Sequence, residues 1–138
     1  MNPNALSRYR SVQINTSSPG ALLMMLFDGL LRFLGEAATA MRGGDRSRAG
    51  ERISRAHAIL DELNATLKPE AAPELCDRLR SIYMFCMSHL VQANVQQSPE
   101  MIDEVSRVLK PIRDAFQVAN EQVRPGAAAP PAEGTVPR

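Results

Sequence analysis

The chemistry available to this chain starts with four side chains, His57, His89, Cys76 and Cys86. A pair of histidines with two cysteines suggests a metal site, but ligands for zinc come in close spacings and these four do not. If both cysteines share a helix, ten residues at 1.5 Å each hold them roughly 15 Å apart, too far for a disulfide. They are expected to be small buried hydrophobes, as reduced thiols usually are. No Gly-rich phosphate loop, His-Glu-x-x-His or nucleophile elbow is present, so no cofactor or metal is expected and no catalytic residue is assigned. One group-transfer role stays open. A histidine on a four-helix bundle can accept a phosphoryl group in a signalling relay, and His57 is the candidate. However, Asp61 follows it by one helical turn, where a phosphate would want a cation.

Charge narrows the partners. Sixteen basic and fifteen acidic residues leave a net charge of +1, against the basic excess that a nucleic-acid binder carries. No run of 18 apolar residues occurs, and Met1 to Arg10 precede no apolar segment ending in a cleavage site. The expectation is a cytoplasmic protein that neither spans a membrane nor binds nucleic acid. Aromatic residues make up only 4% of the chain and tryptophan is absent, so the core must be aliphatic.

Four segments with a helical period supply that core. The first opens at Ser17-Ser18-Pro19, serine caps with proline at the first helical position, and closes at Gly43-Gly44. Its apolar stripe is Leu23, Leu26, Phe27, Leu30, Leu34, Ala37 and Met41. The second opens at Asp45 and ends before Lys68-Pro69, with Ala49, Ile53, Ala56, Leu60, Leu63 and Leu67 in strict alternation of four and three. The third runs from about Pro73 to Gln97 with Leu75, Leu79, Ile82, Cys86, Leu90 and Ala93 on one face. The fourth opens at Ser98-Pro99-Glu100 and carries Met101, Val105, Val108, Ile112, Phe116 and Ala119. Nothing alternates with period two. The spacing predicts an all-α, antiparallel up-down-up-down four-helix bundle over residues 18–123. Residues 1–17 read as a flexible N-terminal segment. Residues 124–138, rich in Pro, Ala and Gly, read as a disordered tail. Pro111, inside the fourth segment, predicts a kink near Val108–Lys110 without termination, because it lies on the solvent side.

More apolar surface is present than one bundle core needs. Met84, Met87, Val91 and Val95 form a second stripe on the third segment, about 140° from the first, where a bundle helix would be polar. Met24 and Leu31 flank the core stripe of the first segment, and Met25 points toward its polar side. Methionine-rich apolar surface of this kind marks a partner site, unless the N-terminal segment or an asymmetric bundle covers it. A second copy of the chain could fill it as a homodimer. Charges on the second segment, including the i,i+4 pair Glu51 and Arg55, sum to zero with Asp45 and read as a solvated face.

Several of these residues together resemble the flagellar secretion chaperone family FliS. The resemblance covers Tyr9 to Phe116. It rests on Tyr9, Thr16-Ser17-Ser18-Pro19 and the run Leu22-Leu23-Met24-Met25-Leu26-Phe27-Asp28-Gly29. Ile59-Leu60-Asp61-Glu62-Leu63-Asn64 with Leu67, Ile82-Tyr83, Leu90, Ala93-Asn94 and Asp103-Glu104-Val105 follow in order. Phe27 stands where the family commonly has Tyr, and Ala71-Ala72-Pro73 replaces a frequent glycine. The resemblance implies a non-enzymatic cytosolic chaperone. Such a protein binds the C-terminal segment of flagellin, prevents its early polymerisation and aids delivery to the type III export gate. It implies that the partner folds into helices along apolar clefts of the bundle. Tyr9, Tyr83 and Asn94 join the partner-binding candidates by matching its motif positions, beside Met24, Met25, Leu31, Met84, Met87, Val91 and Val95. A helical adaptor within a secretion apparatus is the remaining alternative.

Overall fold

Four helices and the short turns between them account for residues 18–123, the part of the chain described by the computed structural model. The expectations for residues 1–17 and 124–138, and for Tyr9, fall outside the described residues. The helices are α1 (Pro19–Arg42), α2 (Arg46–Ala65), α3 (Pro73–Gln96) and α4 (Pro99–Val123), and no strand occurs among the described residues. The fold is all-α, a four-helix bundle.

The punctuation in the sequence works as capping chemistry. Ser18 Oγ accepts from the Ala21 amide at 3.1 Å, with Pro19 at the first helical position, so one orphan donor at the start of α1 is satisfied. At the other end Gly44 takes φ +80°, a conformation that costs a side-chain-bearing residue energy, and Asp45 then caps α2 by accepting from the Arg48 amide at 3.0 Å. Ser98 repeats the device on α4, its Oγ accepting from the Met101 amide at 3.3 Å. The exception is the end of α3. There Gln97, and no glycine, holds the left-handed conformation (φ 53°, ψ 50°), and its side-chain amide donates to the Asn94 carbonyl at 2.7 Å.

The helices belong to two compact units, residues 26–110 and a smaller one that takes in the described residues 18–25 and 111–123. The larger unit holds the core. Phe27, Leu30, Leu34, Ala37 and Met41 of α1 are buried, as are Ala49, Ile53, Ala56, Leu60 and Leu63 of α2. Each Leu or Phe so buried contributes roughly 1.5–3 kcal/mol relative to exposure. No polar or charged residue is buried among the described residues. Glu36 of α1 pairs with Arg52 of α2 at 3.0 Å, and the Arg55 guanidinium lies 6.0 Å from the Phe33 ring. Numbers rise along one helix as they fall along the other, so α1 and α2 run in opposite directions. At the far end of α1, Arg42 reaches Asp103 of α4 at 2.6 Å. In the smaller unit Gly20 lies directly against Asn120. A Cβ on Gly20 would sit 1.8 Å from the Asn120 Oδ1, so only glycine admits this contact without moving the asparagine.

Two helices are rotated from their expected faces. On α3 the buried residues are Cys76, Leu79, Tyr83, Cys86, Met87, Leu90 and Ala93, while Leu75 is exposed and Ile82 half-buried. On α4 the buried residues are Ile102, Val105 and Leu109, with Met101 half-buried and Val108 exposed. Each face also fits a three-four spacing, so periodicity alone could not choose between them. On α1, Leu23 and Leu26 are half-buried, and Leu67 lies half-buried beyond the end of α2. α4 continues through Pro111, which is exposed, as is Arg107, whose carbonyl the proline leaves without its helical donor.

Candidate functional site

α3 has a buried face and an outward one, and the outward one is apolar. Met84 (54% exposed), Val91 (50%) and Val95 (72%) stand where surface helices carry polar groups. At 100° per residue these three fall within about 20° of one line. They span eleven residues, about 16 Å of helix axis. Ser88, also exposed, occupies the gap between Met84 and Val91. The result is a straight ridge with four-three-four spacing, the geometry by which one helix receives another.

Met87 does not belong to this ridge. It is 7% exposed and packs in the core with Tyr83 and Cys86, so its assignment to the outer stripe is corrected. The rotation of α3 explains this, since turning Tyr83 inward carries Met87 in with it. Tyr83 itself is 1% exposed and offers a partner almost no surface. Burial pushes its phenol up to about 12 and the Cys86 thiol up to about 11, so both are neutral packing groups at physiological pH.

The remaining candidates lie elsewhere. Asn94 is exposed beside the ridge, and its Oδ1 accepts from the Gln97 side chain at 3.3 Å, part of the knot that ends α3. Leu31 is half-buried on α1, where it lines a groove between α1 and α2. Met24 and Met25 are half-buried in the first two turns of α1, in the smaller unit.

Sequence reasoning missed Phe85, which is 49% exposed and stacks on His89 with ring centroids 5.0 Å apart. The signal was there. An aromatic one residue from Met84 lies about 100° away, off every core seam. Val108 and Leu75, which the spacing places on core faces, are further exposed apolar side chains.

Each of the two histidines stands beside one carboxylate. His57 is half-buried, with Nδ1 3.6 Å from the Asp61 carboxylate. His89 Nε2 lies 2.6 Å from Glu104 Oε1, a tie between α3 and α4. Among the described residues no group of three or more His, Cys, Asp or Glu is placed to hold a metal ion, and no helix is long and apolar enough to cross a membrane.

Known proteins with similar sequences match over nearly the same span. The family model described as flagellar protein FliS covers residues 2–123. The flagellar secretion chaperone FliS of Bacillus subtilis is 34% identical over 121 residues, 88% of this chain and 90% of that protein. Its namesake in Salmonella typhimurium is 33% identical over 116 residues, 83% of each chain. The Vibrio cholerae protein of the same name is 28% identical over 116 residues, 81% of this chain and 85% of its own. With the four-helix fold, and a match of this length, the chain belongs to the flagellar protein FliS family.

Proposed function

We propose that this chain is a cytosolic flagellar secretion chaperone that holds the C-terminal segment of flagellin on the outer ridge of α3 and presents it for type III export. The observation that carries this reading is the ridge of Met84, Val91 and Val95 with Phe85 beside it, apolar surface that the core leaves outside. A segment without stable structure of its own can fold as an amphipathic helix along such a ridge, burying its apolar face as it orders. The ordering costs a few kcal/mol of the interaction, which keeps the complex releasable. Work of this kind is binding and needs no catalytic group.

The test is calorimetric titration with the last ~50 residues of a flagellin from the same cell, where coupled folding gives a large negative heat-capacity change. Stoichiometric binding that is lost in Val91→Asp with Val95→Asp, at unchanged helicity, supports the ridge. Unchanged binding in that folded variant sinks it. A second copy of the chain is the competing occupant, and sedimentation of the free protein distinguishes it. Phosphotransfer at His57 gains no support, because Asp61 sits beside the ring where an incoming phosphoryl group would be repelled.

A further inference from the structure

A groove of about 570 Å³ runs between α1 and α2, away from the α3 ridge in chemistry as well as in place. It is lined by Leu31, Arg32, Gly35, Glu36, Thr39 and Ala40 of α1 and by Arg48 of α2. Gly35 is the telling residue. It sits in the middle of a 24-residue helix and is exposed, where glycine is less favourable than alanine. A Cβ placed on it would meet nothing within 4 Å, so no packing inside the chain calls for the glycine. Thr39 follows one turn later, and the two small side chains leave a notch that lets an outside backbone come close.

The charges lining the notch, Arg32 and Arg48 against Glu36, leave an excess of one positive charge. Glu36, the carboxylate in the lining, is already paired, 3.0 Å from Arg52 and 3.8 Å from Arg32. Glu51 is committed to Arg55 at 2.7 Å and Arg52 at 3.0 Å, and these cations hold its carboxyl below the usual range. Arg32, Arg52 and Arg55 also gather round the Phe33 ring, at 4.9, 5.7 and 6.0 Å. Arg48 is not part of these close contacts, but its charge also helps to lower the Glu51 carboxyl. Because Glu36 faces Arg52 in the antiparallel register, Arg48 lies across from Ala40, eight positions along α1 from Arg32. At 1.5 Å per residue that separates the two cations by about 12 Å along the groove.

We propose that this groove is a second docking site, for an acidic amphipathic helix of a partner protein other than the cargo. Small apolar side chains of that helix rest on Leu31 and in the Gly35–Thr39 notch. Carboxylates seven positions apart on it, about 10 Å, reach Arg32 at one end and Arg48 at the other. The ridge on α3 asks only for apolar surface, whereas the groove asks for carboxylates as well, so the two sites select different segments.

The probe is a labelled synthetic helix of about 18 residues, five turns, with glutamates seven apart flanking an Ala/Leu face, titrated by fluorescence anisotropy into the full chain. Gly35→Leu, which fills the notch, and Arg48→Glu, which reverses one wall, are each expected to weaken binding by at least about tenfold. Val91→Asp is expected to leave it unchanged, and a lysine-for-glutamate probe to fail. Gly35→Ala serves if Gly35→Leu lowers helicity, since one methyl enters open space and favours the helix. Equal affinity in wild type, Gly35→Ala and Arg48→Glu overturns the site. So does equal binding of the lysine probe. Displacement of the probe by the flagellin segment overturns the assignment to a partner other than the cargo. The cargo reading is tested on α3 variants, so either can fail while the other stands.

Discussion

His89 of α3 reaches Glu104 of α4, Nε2 to Oε1 at 2.6 Å, with the Phe85 ring stacked against the imidazole. This is a polar tie made at the edge of the core, between the helix that carries the exposed apolar ridge and the one beside it. Glu104 is half in solvent, so the tie is worth little alone, about 0.2–1 kcal/mol by the measure of exposed pairs. A double-mutant cycle with His89→Ala and Glu104→Ala in urea denaturation is expected to return a coupling in that range. A coupling above about 2 kcal/mol would mean that the pair is desolvated and that α3 depends on it for its position.

Pro111 carries a cost with no matching gain in the described structure. It is exposed within α4 and removes one helical hydrogen bond, and proline in a helix interior costs about 3 kcal/mol relative to alanine. Pro111→Ala is expected to raise stability by about 1–3 kcal/mol in a urea melt, a smaller gain meaning that the helix has already relaxed around the ring. No change or a loss would show that the backbone at this point is adapted to proline.

How much of this could be read in advance differs from helix to helix. On α2 one face alone is apolar, and Ala49-Ile53-Ala56-Leu60-Leu63 is buried as the four-three alternation requires. On α3 both Ile82 and Tyr83 are apolar, and two overlapping seams share Leu79, Cys86, Leu90 and Ala93. Only packing against the other helices decides between them, and it chose Tyr83. That choice took Met87 out of the ridge and left Leu75 in solvent. α4 repeats the ambiguity, with Val108 and Leu109 competing for one place. Helix ends were legible because Ser18, Asp45 and Ser98 satisfy specific amide donors. Of the groove between α1 and α2 only Leu31 was legible. Gly35 becomes informative only when its surroundings are known to be empty.

Cys86 gives a pH dependence whose sign is fixed by burial. Desolvation raises its thiol to about 11 in the folded chain, above the ordinary value near 9. Between those values the folded state keeps a proton that the unfolded state has lost, so stability falls as pH rises through this window. Thermal melts are expected to drop from about pH 9 upward, and Cys86→Ala to remove the part that begins near pH 9, leaving above about pH 10 the fall due to Tyr83, whose phenol is raised to about 12. Thiol reagents at pH 8 are expected to label Cys76 and Cys86 only as fast as the chain opens, since both are buried. Rapid labelling of either in the native state contradicts the packing of α3.

Gln97 holds a left-handed backbone at the end of α3, a conformation that costs a residue with a Cβ roughly 1–2 kcal/mol. Its side chain recovers part of that through the Asn94 carbonyl. Gln97→Gly is therefore expected to stabilise by a few tenths to about 1 kcal/mol, while Gln97→Val, which keeps the strain and loses the hydrogen bond, destabilises by about 1–3 kcal/mol. Equal effects of the two would show that this turn is not under strain.

Aspartate placed at neighbouring positions of α3 separates its two faces. At Met87 a carboxylate enters the core with no cation to meet it, and the loss of packing adds to the desolvation cost. Met87→Asp is expected to cost more than about 3 kcal/mol and to unfold a large fraction of the chain. At Val95, 72% exposed, the same charge stays in water, and the change is expected within about 0.5 kcal/mol of wild type. Val91→Asp, half exposed, falls between them and close to Val95→Asp. Urea midpoints of the three variants check the order. If Val95→Asp proved as damaging as Met87→Asp, the ridge would be covered in the free protein, and a cargo could reach it only by displacing what covers it.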